Sequence, residues 1–218
     1  GEIAAAGKAL DHEVLTTVDE PVFKNGGIVV IRGNLSPNGA ICRTTTISEK
    51  SRKFEGPARV FHSDEEAHAA VVSGKIKKGD VVVIRYEGPR GAPGMREMMM
   101  TTDALVGLGM GQDVFVLTAG RFSGFTEGAA IGHISPEAAV GGVIAVVEDG
   151  DTIKIDIDAR SANLCVPDEV IKERLAKWQP PLKRSRGILG IYAKTALQAH
   201  EGRMIDDEVT DVRQVLGK

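Results

Sequence analysis

A glycine-framed stretch of the chain, GRFSGFTEG at residues 120–128, carries side chains that could do chemistry. It follows the apolar run DVFVLTA and contains Arg121, Ser123 and Thr126. A serine just beyond a strand, among backbone N–H groups or at a helix N-terminus, has its alkoxide stabilised electrostatically. Its hydroxyl is still too weak a base at neutral pH without a metal ion or cluster close by. The residues alone therefore leave two interpretations open: part of a catalytic site, or an ordinary glycine-rich turn.

A second loop, GAPGMREM at residues 91–98, presents the carboxylate of Glu97. A carboxylate directly after a Gly/Pro loop can bind a hard cation such as Mg²⁺ through oxygen. The alternative is a solvated surface glutamate, and the residue types by themselves do not separate the two interpretations.

Several familiar motifs are excluded by their context. The glycines of VGLGMGQD close a predicted helix and precede a strand, which inverts the order of a dinucleotide-binding fingerprint. GPRGAPGM lacks the Gly-Lys-Ser/Thr ending of a phosphate loop. GRFSG is not a hydrolase nucleophile elbow, because Arg121 stands where the first glycine belongs.

We expect His133 to be a structural histidine whose ring has its hydrogen-bond partners within the protein. The remaining histidines considered show no metal-binding spacing and are expected at the surface: His62, His68 and His200.

Composition narrows the function classes. The chain has 218 residues, 42% of them hydrophobic and 26% charged, with a net charge of −3, which argues against nucleic-acid binding. No apolar run approaches the ~20 residues of a membrane span, and no signal peptide is recognisable, so the cytosol or an organelle matrix is expected.

The cysteines, Cys42 and Cys165, are expected to be reduced thiols packed as small hydrophobic groups. Two cysteines cannot complete an iron–sulfur site, which needs about four ligands.

The elements needed to position the two loops follow from hydrophobic patterning. Residues 58–87 read as strand, helix, strand, with Ser63 as N-cap, Glu66 completing a capping box and Gly74 ending the helix. A buried strand is predicted in GGIVVIRGNL and another in DVFVLTAG. Helices are predicted at about 95–108, in PDEVIKERLAKWQ and in GILGIYAKTALQAHEG, and a hairpin turn at residues 148–151. Residues 1–25 favour a short helix and an extended segment that leads into the domain. The whole chain, 1–218, is therefore predicted to be one β-rich α/β domain with peripheral helices.

Several long motifs in matching order resemble the C-terminal part of the dihydroxy-acid and phosphogluconate dehydratases. They are GGIVVIRGNLSPNGA, ARVFHSDEEA, GKIKKGDVVVIRYEGPRGAPGMREM, GRFSG and IGHISPEAAVGGVIAVVEDGDTIKIDI, and they cover roughly residues 25–200. The last motif is more similar to the branched-chain enzymes of the family than to the phosphogluconate ones. The resemblance implies a swivelling, β-barrel-like α/β domain that closes over a cofactor held elsewhere.

The resemblance also implies a reaction and roles for individual residues. Family members convert a 2,3-dihydroxy acid to a 2-oxo acid with loss of water, using an iron–sulfur cluster and Mg²⁺. The cluster cysteines and most Mg²⁺ ligands belong to an N-terminal domain that is absent from these 218 residues. Glu97 is the implied Mg²⁺ ligand and Ser123 the implied base for the C2 proton. Gly124 and Thr126 are implied to hold substrate oxygens, and Arg121 to pair with the carboxylate or support the loop.

The same comparison implies an arrangement larger than this chain, in which the cluster-bearing domain is the partner and the complete enzyme is a homodimer. We expect a piece of a longer enzyme, inactive alone, rather than a subunit paired with a separate cluster-bearing chain. The sequence departs from the family pattern at Ala119, usually Asp, at Arg96, usually Pro, and at Glu127, commonly basic. The tail ALQAHEGRMID replaces a serine-rich segment. A sugar-acid or phosphogluconate dehydratase and a stand-alone non-catalytic module therefore stay open as alternatives.

Overall fold

The computed structural model describes residues 16–22, 26–181 and 186–205, so most of the prediction for residues 1–25 falls outside the described residues. The strands are β1 (Ile28–Ile31), β2 (Gly39–Arg43), β3 (Lys53–Phe61), β4 (Val81–Ile84), β5 (Glu97–Met98), β6 (Phe115–Thr118), β7 (Arg121–Phe122), β8 (Ala129–Ser135), β9 (Thr152–Asp156) and β10 (Ser161–Leu164). The helices are α1 (Asp64–Val72), α2 (Met100–Gly107), α3 (Asp168–Lys177) and α4 (Gly187–Thr195).

Eight strands form one sheet that curls into a barrel. Their order is β1-β2-β8-β6-β4-β3-β9-β10, and the inner pairs β3–β4, β4–β6 and β6–β8 are parallel. The two edge strands meet at Arg32, whose N–H donates to Arg160 O at 2.9 Å and whose carbonyl accepts from Ala162 N at 2.8 Å. This contact closes the seam and satisfies backbone groups that an open edge would expose.

Aliphatic side chains fill the barrel because the chain has few aromatic residues. Phe115 is the largest fully buried side chain, and it meets Phe54 edge-on with ring centroids 5.6 Å apart. A second apolar cluster lies outside the barrel, where α1 and α2 cover the parallel strands. Buried Asp64, at the start of α1, accepts hydrogen bonds from Met100 N and Thr101 N and so caps α2. This contact fixes the helix that leaves the Glu97 loop.

The α/β, β-rich barrel-like fold with peripheral helices is confirmed. The predicted strand–helix–strand unit is the parallel β3–α1–β4 unit, in which Ser63 Oγ accepts from Glu66 N at 3.2 Å. None of the helices in the described ranges is long and apolar enough to cross a membrane.

Three local predictions were wrong. The helix predicted at about 95–108 is α2, which begins only at Met100, because the preceding residues form β5. No hairpin turn joins VIAVV to TIKIDI, because residues 143–146 form a 3-10 turn. Two carbonyls of this turn accept hydrogen bonds from arginine side chains: Ala145 O from Arg85 and Val146 O from Arg174. The hairpin is instead β9–β10. Strand β1 is half-exposed rather than buried, with Ile28 67% exposed.

Candidate active site

The two loops singled out in the sequence pair with each other. The Glu97 loop follows β4 and the Ser123 loop follows β6, and these parallel strands are neighbours in the barrel. Their carboxyl ends therefore lie at the same edge, the usual position of binding sites in such sheets. There β5 and β7 form a two-residue parallel ladder that sets Glu97 opposite Arg121.

Arg121 ties the two loops together. Its Nη1 lies 3.6 Å from Glu97 Oε1, and its Nε donates to Met95 O at 2.7 Å. The Glu97 side chain is 50% exposed and that of Arg121 34%. Because the contact is long and solvated, the Glu97 carboxylate keeps oxygen lone pairs available to a cation.

Ser123 lies in a tight turn immediately after β7. Its N–H donates to Met98 O at 3.3 Å, its Oγ accepts from Phe125 N at 3.3 Å, and its carbonyl accepts from Thr126 N at 3.1 Å. No helix follows it, so the suggested helix N-terminus is absent from this described loop, and backbone N–H groups remain the local source of positive potential. Gly124 is exposed, and its carbonyl accepts a short hydrogen bond from the Arg43 guanidinium.

Ser123, Gly124, Thr126 and His133 line one cavity of about 160 Å³. Thr126 is 7% exposed, and its Oγ1 is one of two buried side-chain polar atoms without a hydrogen-bond partner in the described residues. The other is Arg85 Nε. Burying a hydroxyl unpaired costs about 1–3 kcal/mol, so such a group needs an explanation. A ligand oxygen in this cavity would satisfy it.

His133 was expected to be a satisfied structural histidine, and this expectation was wrong. Its imidazole makes no hydrogen bond to another described residue, although its backbone N–H donates to Gly120 O at 2.7 Å. It has φ +58° and lines both the Ser123 cavity and a second cavity of about 360 Å³. Burial, Arg203 and Arg121 hold the pKa of His133 below its usual value. The ten-residue spacing from Ser123 carried no signal for this placement. Elsewhere, His62 and His200 are exposed and His68 is half-buried.

The three residues that depart from the family pattern have different surroundings. The Arg96 guanidinium forms two hydrogen bonds of 2.6 Å to Glu65 and a third of 3.2 Å to buried Glu87, which hold its pKa above its usual value. Ala119 is fully buried. Glu127 lines a different cavity, of about 810 Å³, and it is not among the residues lining the Ser123 cavity.

The described residues fit one of the two implied cofactors. Glu97 supplies a hard oxygen donor suited to Mg²⁺, although no group of three metal-binding side chains occurs in the described ranges. They do not fit an iron–sulfur cluster. Cys42 is buried, and desolvation raises the pKa of its thiol to about 12, which opposes the thiolate a cluster needs. Cys165 is exposed, so the expectation that both thiols are packed inside was wrong for this one.

Known proteins share this sequence over nearly its full length. Residues 13–203 match the family model described as "Dihydroxy-acid/6-phosphogluconate dehydratase C-terminal". A protein of Citrifermentans bemidjiense named dihydroxy-acid dehydratase is 52% identical over 95% of this chain. Proteins of the same name from Archaeoglobus fulgidus and Acetivibrio thermocellus are 50% and 48% identical, each over 92% of this chain. The matches cover 38%, 37% and 36% of these relatives, in that order. The chain belongs to the dihydroxy-acid/6-phosphogluconate dehydratase C-terminal family.

Proposed function

We propose that this chain is the substrate-closing domain, residues 1–218, of a dehydratase that converts a 2,3-dihydroxy acid to a 2-oxo acid with loss of water. The observation that carries the proposal is the unpartnered, buried hydroxyl of Thr126 in the cavity that also contains Ser123. An oxygen-rich substrate supplies the partner that the protein lacks. The relatives' name, dihydroxy-acid dehydratase, supports a dihydroxy acid, and we propose a branched-chain one such as 2,3-dihydroxyisovalerate.

Each side chain has a task suited to its position. Thr126 donates its hydroxyl hydrogen to a substrate oxygen, and Gly124, exposed at the turn, offers backbone to the same substrate. Ser123, as its alkoxide, accepts the C2 proton and so becomes the neutral hydroxyl. Glu97 is one ligand of Mg²⁺, which when bound supplies positive charge that acidifies the C2 proton and favours the Ser123 alkoxide. Arg121 holds the Glu97 and Ser123 loops in register through Met95 O.

The site is completed by another domain. The chain spans 36 to 38% of the relatives' length, and its described residues contain no group of three side chains that could hold a metal ion. We propose that the iron–sulfur cluster and the remaining Mg²⁺ ligands lie on an N-terminal domain, in the same or a separate chain, of a homodimeric enzyme of the cytosol or an organelle matrix. The isolated 218 residues are then inactive, because bond breaking requires groups from both domains.

Ser123→Ala in the complete enzyme tests this function. We expect kcat to fall by at least about 100-fold with an unchanged circular dichroism spectrum, because the proton acceptor is lost. Ser73→Ala, at the exposed C-cap of α1, is the matched control and leaves kcat unchanged. Wild-type turnover by the Ser123→Ala enzyme would exclude the serine as base. Assays on 2,3-dihydroxyisovalerate and on gluconate separate the branched-chain substrate from a sugar acid.

A further inference from the structure

Arg96, the residue immediately before Glu97, binds two acidic side chains at once. Its Nη1 and Nη2 donate to Oε1 and Oε2 of Glu65, each at 2.6 Å, and Nη2 also donates to Oε1 of Glu87 at 3.2 Å. Two parallel hydrogen bonds to one carboxylate suit the planar guanidinium and fix its orientation as well as its place. We call this group of three side chains the Arg96 clamp.

Glu87 connects the Arg96 clamp to the start of the Ser123 loop. Glu87 is buried, its Oε1 also accepts from Asp64 N at 3.2 Å, and Arg96 supplies its one ion pair within the described ranges. A Cβ atom at Gly120 would lie 2.9 Å from Cβ of Glu87 and 2.8 Å from its carbonyl oxygen. Glu87 therefore packs directly against the residue that precedes Arg121. Because an unpaired buried carboxylate is costly, Glu87 and the guanidinium stay together.

Glu65 connects the Arg96 clamp to the helices that cover the barrel. Glu65 lies in the first turn of α1, directly after Asp64, whose Oδ2 accepts from Met100 N at 3.3 Å at the start of α2. The first turn of α1 thus binds the chain on both sides of Glu97, through Arg96 before it and through Met100 after it. The short strand that carries Glu97 is therefore anchored at each end to the same helix.

The Glu97 side chain depends on this anchoring because its own contacts are weak. Among the described residues its carboxylate has only the 3.6 Å contact with Arg121, and the side chain is half-exposed. The chain reaches it through Gly94 and Met95, both with positive φ (+95° and +46°), and β5 has only two residues. Backbone of this kind takes its direction from the contacts around it. A metal ligand must be held to within about 0.5 Å, and the Arg96 clamp supplies such a contact.

We propose that Arg96 is a positioning residue of the enzyme, whose clamp on Glu65 and Glu87 holds the Glu97 carboxylate in place for Mg²⁺ and in register with the Ser123 loop. Arg96 acts through the backbone of Glu97 and is not itself a ligand. The assignment of Glu97 to Mg²⁺ rests on the proposed function, whereas the clamp rests on the hydrogen bonds of Arg96. Loss of the clamp should therefore weaken Mg²⁺ binding while leaving the ligand present.

Hydrogen–deuterium exchange of the complete enzyme measures the Arg96 clamp without turnover. In Arg96→Met we expect the amides of residues 95–99 to exchange about tenfold faster or more, because local opening becomes easier. Arg96→Lys, which keeps a charge beside buried Glu87, should show a smaller increase and serves in its place if Arg96→Met does not fold. Arg52→Met is the matched control, since Arg52 donates two hydrogen bonds, of 2.8 and 2.6 Å, to exposed Asp158 on other elements. Unchanged exchange in Arg96→Met, or an equal increase over residues 95–99 in Arg52→Met, overturns the proposal.

Equilibrium binding of Mg²⁺ to the complete enzyme tests the consequence for the site. We expect the dissociation constant to rise about tenfold in Arg96→Met, and kcat to return close to the wild-type value at saturating Mg²⁺, because the ligand is displaced and not removed. Glu97→Gln, which alters the ligand itself, is the reference. Weaker binding in Glu97→Gln but not in Arg96→Met overturns the positioning role. If neither variant changes Mg²⁺ binding while exchange over residues 95–99 still rises in Arg96→Met, the clamp stands and the proposed function of Glu97 fails.

Discussion

Glu97 and Arg121 are direct partners in the parallel β5–β7 ladder, with Glu97 Oε1 3.6 Å from Arg121 Nη1. Two residues that lie 24 positions apart in the chain thus face each other across one backbone ladder. The short ladder transmits the register of the barrel strands β4 and β6 to the loops. A carboxylate proposed for metal binding and a serine proposed as base are thereby held on a single rigid support.

Glu97→Gln is predicted to weaken Mg²⁺ binding without weakening the fold. The side chain is half-exposed, so losing its contact with Arg121 changes the free energy of unfolding by less than about 1 kcal/mol. The amide is a poorer ligand than the carboxylate, and we expect the Mg²⁺ concentration for half-maximal activity of the complete enzyme to rise about tenfold or more. Glu55→Gln, an exposed partner of Lys154, is the control. An unaltered Mg²⁺ requirement would remove Glu97 from the metal site.

Thr126→Val is predicted to stabilise the chain while impairing the enzyme. The substitution removes a buried hydroxyl that has no partner, so the free energy of unfolding should rise by about 1 kcal/mol. The complete enzyme should lose affinity for substrate, because the same hydroxyl is proposed to bond a substrate oxygen. Urea unfolding and KM measure the two effects. Thr126→Ser, which keeps the hydroxyl, should leave KM close to that of the wild type, and a stabilised Thr126→Val enzyme with normal KM would contradict the role.

His133 is predicted to make stability depend on pH. Its folded pKa lies below the ordinary value of 6.5, mainly because burial disfavours the charged ring. The unfolded chain therefore binds the proton more readily, so stability is full above pH 6.5 and falls as the pH drops through 6.5 to the folded pKa. In the His133→Asn variant, asparagine tolerates the positive φ and the titrating ring is gone, so this pH dependence is removed. Urea unfolding between pH 7.5 and pH 5 should show a smaller loss for the variant, and parallel curves would refute the prediction.

Gly33→Ala is predicted to open the barrel seam. A Cβ atom at Gly33 would lie 2.1 Å from Ala162 O, and the residue has φ +143°. Overlap and backbone strain together should lower the free energy of unfolding by about 3–5 kcal/mol. Gly109→Ala separates the two causes, since Gly109 also has positive φ (+71°) but open space around its Cβ position. Its cost should be about 1–2 kcal/mol. Equal costs in thermal or urea unfolding would show that the seam is not tightly packed there.

Local patterns in the sequence were sufficient for the barrel's parallel half. Ser63 and Glu66 specify the start of α1, and the β-branched runs on either side specify β3 and β4, because capping and strand preference act over a few residues. The motif order was also sufficient for the family. The predicted hairpin at residues 148–151 failed because Arg85 and Arg174, distant in the chain, bind the carbonyls of residues 145–147 and remove the need for strand pairing.

The amino-acid sequence by itself determined the parallel strand–helix–strand unit, the family and the candidate residues Glu97 and Ser123, since residue type and short spacing carry that information. Only the tertiary structure decided which groups share a site. Pairing of β5 with β7 joins the two loops, the turn after β7 buries Thr126 without a described partner, and the docked tail brings Arg203 to Met95. These relations depend on contacts between residues far apart in the chain, which no local pattern encodes.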